Sequence, residues 1–60
     1  MNVLQVYDSC NGSKDPPEFL REYYIPSLME AIRQADAMVK QHPGQTFLVR
    51  NSKGEKVYQR

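Results

Sequence analysis

Apolar and polar positions change their period twice along this chain, and each stretch so bounded predicts its own elements. From Asn2 to Asp8 the period is two, with Leu4 and Val6 on one side and Val3, Gln5 and Tyr7 on the other. Alternation of this kind belongs to a strand. Both sides carry apolar residues, so this strand is expected at the centre of a sheet or covered on both faces.

From Ser27 to Gln41 the period lengthens. Leu28, Ile32, Ala35 and Val39 recur at i, i+4, i+7 and i+11, the stripe of an amphipathic helix. Ser27 followed by Glu30 reads as a capping box, in which hydroxyl and carboxylate each close a free backbone N–H. Pro43-Gly44 marks the stop, because proline cannot continue the ladder and glycine tolerates a left-handed exit.

Period two then returns. Gln45–Arg50 sets Phe47 and Val49 against Thr46, Leu48 and Arg50, and Lys56–Arg60 follows after a polar turn, Asn51 to Glu55, with Gly54 at a position suited to positive φ. The pair predicts a hairpin.

The segment between the first strand and the helix reads two ways. Asp15-Pro16-Pro17-Glu18 has the composition of a helix start, which would make residues 17–24 a short helix and leave three strands. The competing reading is a strand, Phe19 to Ile25, with Phe19, Arg21, Tyr23 and Ile25 alternating against Leu20, Glu22 and Tyr24. Two arguments favour the strand. Pro26 pushes Ile25 toward extended geometry, and a cap at Ser27 wants an extended entry. Asp8 to Lys14, rich in Ser, Asn and Gly, is then the loop of a long hairpin. The expected fold is α+β, a small antiparallel sheet in strand-strand-helix-strand-strand order with one amphipathic helix on one face.

Length sharpens that picture. Residues 1–60 make a single small domain. An unfolded chain of 7.0 kDa exposes about 10,000 Å² and a domain of this size buries about 60% of it. If a little over half of that is apolar, burial contributes about 90 kcal/mol at ~25 cal/mol per Å². Ordering the chain costs about 1.5 kcal/mol per residue, again about 90 in all. The balance is near zero, so stability rests on details or on association. One helix also covers one sheet face only, leaving Val3, Tyr7 and Leu48, with Val57 or Tyr58, on the other.

From Tyr23 onward, Tyr-Tyr-Ile-Pro-Ser-Leu-Met-Glu-Ala-Ile-Arg-Gln-Ala and Thr-Phe-Leu-Val-Arg-Asn-Ser-Lys-Gly-Glu-Lys-Val carry a recognisable pattern. It resembles small uncharacterised bacterial and phage domains of the same element order, with a Ser/Thr-capped helix and a final hairpin whose charged turn holds a glycine. The likeness covers about two thirds of the chain and departs from it in the long loop of the first third. It implies the fold and brings no activity.

The candidate chemistry is sparse. Cys10 and His42 are the single cysteine and single histidine, so there is neither an intrachain disulfide nor a Cys/His metal set, and Cys10 reads as an incidental free thiol. Neither a Ser/His/Asp set nor a glycine-rich phosphate loop is present. Glu18 with Glu22 and Glu30 with Asp36 are carboxylate pairs of the sort seven acids produce by chance. A non-catalytic protein without cofactors is expected. No apolar run approaches a membrane span, and a cytoplasmic location without membrane partners is expected.

Charge supplies one contrast. Residues 1–39 carry three cations and six acids, a net −3, whereas residues 40–60 carry five cations and one acid, a net +4. Two binding functions follow. A protein-interaction or modulator module would act as a homodimer, or on another protein, through the uncovered sheet face, with Val3, Tyr7 and Leu48 as its candidate residues. Four tyrosines and three methionines in sixty residues suit such a surface. The alternative is a nucleic-acid-binding protein using hairpin 45–60, with Arg50, Lys53, Lys56, Tyr58 and Arg60 as contacts and Asn51, Ser52 and Gln59 adding hydrogen bonds. The net charge of +1 is far below a dedicated binder's, and lysines at a hairpin tip also serve solubility.

Overall fold

A computed structural model describes residues 1–8 and 17–60. The expectations for Cys10, for the Ser/Asn/Gly loop and for a cap at Asp15 lie outside the described residues. The elements run β1 (Asn2–Asp8), β2 (Glu18–Ile25), α1 (Leu28–Gln41), β3 (Gln45–Arg50) and β4 (Lys56–Gln59). The fold is α+β, with four strands in one antiparallel sheet, and residues 18–25 are strand rather than helix. The strand order is β2-β1-β3-β4. β1 lies inside the sheet, the first of the two placements its two apolar sides allowed, and α1 carries the chain across it from edge strand β2 to β3.

Register divides the sheet into two faces. On one, Tyr23, Leu4, Val49 and Tyr58 form a row, and Arg21, Val6 and Phe47 form the next. Leu4, Val6, Phe47 and Val49 are fully buried there, with Ile25, under Ala31 and Ala35 of α1. Tyr23, Met38, Val39 and Tyr58 pack around this cluster. The folded chain exposes 4212 Å², so burial is no larger than its size predicts.

The helix keeps much of the stripe expected of it, with Ala35 in the core, Val39 packed against it and Ile32 half-buried, but the buried edge shifts away from Leu28 to Ala31 and Met38. Ala31 and Ala35 are buried and Met38 and Val39 partly so, while Leu28 is 39% exposed and Met29 65%. The physical reason is approach distance. Phe47, Leu4, Val6 and Val49 already fill the sheet side, so the close-packed helix turns its small side chains inward and rotates Leu28 out.

The helix ends also differ in detail. Ser27 Oγ accepts the Glu30 backbone N–H at 3.4 Å, and among the described residues the reciprocal carboxylate bond of a capping box is not made. At the other end the His42 N–H donates to the Met38 carbonyl at 2.8 Å. Gly44 does not take a left-handed φ; Gly54 does, at 84°. The exit therefore rests on Pro43 and the His42 bond rather than on glycine. Asn2 closes the β2–α1 connection, its Nδ2 donating to the carbonyls of Ile25 and Pro26 at 3.2 and 3.1 Å.

Candidate interaction surface on the open sheet face

The second face has no helix. Three rows of side chains cross it: Tyr24–Val3–Arg50–Lys56, Glu22–Gln5–Leu48–Gln59, and Phe19–Tyr7–Thr46. Two register irregularities shape it. The bulge between β1 and β2 leaves Leu20 unpaired and puts Phe19 opposite Tyr7. Simple alternation groups Phe19 with Arg21 and Tyr23; the bulge instead moves it to this face. There its ring meets Tyr7 edge-on, with centroids 5.7 Å apart. The second irregularity, between β3 and β4, skips Val57. It turns Tyr58 toward the helix, so of the two residues considered for the open face Tyr58 lies on the opposite one.

The structure brings Val3, Tyr7 and Leu48 together on this face, but not equally exposed. Val3 and Tyr7 are half-buried, and Leu48 is only 9% exposed. Polar bonds run across the face beside Leu48. Gln5 Oε1 accepts from Tyr7 Oη at 3.2 Å and from Arg50 Nε at 3.0 Å, linking β1 to β3. Tyr24, by contrast, is 64% exposed, and Phe19 is also exposed. A shallow depression of about 320 Å³ opens over Leu48, with Tyr7, Thr46, Arg50, Lys56 and Gln59 among its walls. Two cations beside an apolar floor suit an anionic group carried on an apolar body.

Phe19, Tyr24, Gln5 and Glu22 belong to this surface and were not among Val3, Tyr7 and Leu48, the residues expected to form it. Parity along β1 carried the signal for Gln5, and parity along β2 the signal for Glu22 and Tyr24. Phe19 is hidden from parity by the bulge.

The basic hairpin is divided between the two faces. Arg50 and Lys56 lie opposite each other on the open face, Lys53 is in the exposed turn, and Tyr58 and Arg60 are on the helix side. Tyr58 Oη donates to Asp36 Oδ1 at 2.5 Å and Arg60 Nε to the same oxygen at 2.6 Å. Arg60 Nε also approaches Tyr58 Oη at 2.8 Å. These bonds fasten the last strand to α1. The Tyr58 hydrogen bond, then that from Arg60, holds the Asp36 carboxyl below its ordinary pKa. The same Asp36 bond raises the Tyr58 hydroxyl and, as first cause, the Arg60 guanidinium.

Several of the other hairpin polar groups are also occupied. Arg50 Nη1 donates to the Gly54 carbonyl at 2.9 Å. Asn51 Oδ1 accepts the backbone N–H groups of Lys53 and Glu55, and Lys56 Nζ donates to Gln59 Oε1 at 3.2 Å. Asn51 is thus an Asx-turn residue that shapes the tip.

Among the described residues no three His, Cys, Asp or Glu side chains cluster as metal ligands, and no helix is long and apolar enough to cross a membrane. Comparison with known proteins found no family model, no curated protein and no solved structure that the chain matches.

Proposed function

We propose that this chain is a small non-catalytic interaction module that works as a homodimer through its open sheet face. The observation that carries the reading is the unequal treatment of the two faces. A single helix covers one, and the other carries Val3, Tyr7, Phe19, Tyr24 and Leu48, with a depression over Leu48 flanked by Arg50 and Lys56. A domain of this size has little stability to spare, so burying that face against a second layer supplies what one helix cannot.

The nucleic-acid reading has less support, because Tyr58 and Arg60 are engaged by Asp36 on the face away from Arg50 and Lys56. That division gives a duplex no continuous basic strip.

Sedimentation equilibrium from about 1 to 500 µM tests the proposal. A concentration-dependent rise from 7 kDa toward twice that mass is expected, with the modest affinity of a small interface. A clean monomer throughout, combined with salt-sensitive duplex binding near 50 mM salt, would replace it with the hairpin reading.

A further inference from the structure

The charge on the open face is lopsided, and the lopsidedness selects one way for two copies to meet. Glu22 stands at the β2 edge, while Arg50 and Lys56 stand on β3 and β4 toward the other edge. From this we infer that the second copy stacks face to face about a two-fold axis parallel to the strands, with its β2 above β4 and its Glu22 toward Arg50 and Lys56. The inference rests on the homodimer reading and adds its geometry.

Three arrangements can be compared. The first is edge pairing through β2, the longer of the two edge strands at eight residues against four. An antiparallel self-pair has its two-fold perpendicular to the sheet, so a residue at the centre faces its own copy. Arg21 and Glu22 occupy the middle of β2, and pairing there sets Arg21 against Arg21 or Glu22 against Glu22. Like charges directly opposite are destabilising. The Leu20 bulge and the flanking Pro17 and Pro26 guard the same edge.

The second arrangement stacks the faces with the two-fold across the strands. Then β2 lies over β2, Glu22 again meets its own copy, and both basic edges fall on the same side. The third stacks them with the two-fold along the strands. Row by row, Tyr24 then lies over Lys56 of the second copy, Val3 over Arg50, Gln5 over Leu48 and Tyr7 over Thr46. Glu22 lies over Gln59, within one row of Lys56. A tyrosine ring beneath an ammonium and a carboxylate beside it are both favourable. Phe19 is carried toward the depression next to Thr46.

Only this third arrangement brings unlike charges together at both ends. Each copy contributes the same patch, as an isologous interface requires. Four strands about 4.8 Å apart and some six residues long span about 400 Å². Covering them on two copies removes on the order of 1,000 Å² in all, the lower end for a specific interface.

Charge exchange tests the geometry. Glu22 and Lys56 are both exposed, so Glu22→Lys and Lys56→Glu are compatible with the fold, which circular dichroism verifies. Sedimentation equilibrium at low salt should show each variant alone dimerising about tenfold more weakly than the parent. An equimolar mixture of the two should return to within about threefold of it, since both contacts are then Lys with Glu. The double variant Glu22→Lys/Lys56→Glu should do the same by itself.

If Glu22→Lys instead pairs best with the parent chain, Glu22 meets its own copy, by stacking with the axis across the strands or by β2 edge pairing, and the inference falls while a homodimer stands. A parent that dimerises while neither exchange matters also overturns the inference and leaves the homodimer intact. A monomeric parent overturns both readings.

Discussion

The two faces of this sheet are built from the same four strands and reach different ends. On the helix side, closure is apolar: Leu4, Val6, Phe47 and Val49 meet Ala31 and Ala35 and are removed from water. At both margins an arginine lies 5.9 Å from the ring centre of a tyrosine two residues away, Arg21 with Tyr23 and Arg60 with Tyr58. Such side chains screen apolar surface while keeping their charge wet. On the open side, closure is partial and polar. Gln5, Arg50 and Tyr7 bond across the face beside Leu48, and Tyr24 and Phe19 remain in solvent. One face commits its side chains to packing; the other keeps aromatics and charges at the surface.

Identical chemistry on the two faces should therefore have unequal cost. Leu4→Ala, at a fully buried site, should lose about 3–5 kcal/mol by urea denaturation, much of the stability of so small a domain. Leu48→Ala should lose about 1–2 kcal/mol in the dilute monomer, because its cover is side chains of its own sheet. Equal losses would erase the distinction between the faces.

The helix side can be challenged from above as well. Ala35→Leu should cost about 1–3 kcal/mol by overpacking, whereas Leu28→Ala should cost under about 1 kcal/mol in the same thermal melts, since Leu28 stands at the rim. The reverse order would restore the stripe read from hydrophobicity alone. Ser27→Ala should cost about 1 kcal/mol through the lost N-cap, readable as reduced helicity.

The smallest effect expected is on pH dependence at the Asp36 margin. Because the Asp36 carboxyl is held low, its contribution is complete above the ordinary carboxylate range, about pH 4. It is lost as pH falls through the lowered value. The Tyr58 hydroxyl is raised, so its contribution is complete below about pH 10 and is lost as pH rises through the raised value. Asp36→Asn should flatten both limbs of a stability–pH curve, and an unchanged curve would deny the Tyr58–Asp36–Arg60 tie.

The sheet was largely legible in the chain. Period two marked β1 and β3 with the correct inward residues, and Pro26 ahead of a capped helix argued for a strand at β2. What parity could not carry were the two bulges, because an extra residue leaves no compositional trace and reverses every side chain beyond it. Phe19 changed faces for that reason, and the choice left open between Val57 and Tyr58 was settled against Tyr58 by the second bulge. The Leu28 end of the helix stripe was misplaced on another ground. Leu28 outweighs Ala31 in hydrophobicity, yet a helix close to bulky Phe47 selects for smallness. The bonds from Tyr58 and Arg60 to Asp36 span 22 and 24 residues, and nothing local announces them. The open-face residues were half visible: Val3, Tyr7 and Leu48 by alternation, while Glu22 and Tyr24 gain meaning only once β2 is known to lie beside β1.

The central claim is that the open sheet face is the working surface, and methyl resonances can address the two faces separately. In a ¹³C-methyl dilution series from about 10 µM to 1 mM, the methyls of Val3 and Leu48 should shift progressively with concentration. Those of Leu4, Val6 and Val49, sealed beneath the helix, should stay in place. Shifts confined to the rim residues Leu28 and Met29, or no concentration dependence in any methyl, would contradict the account.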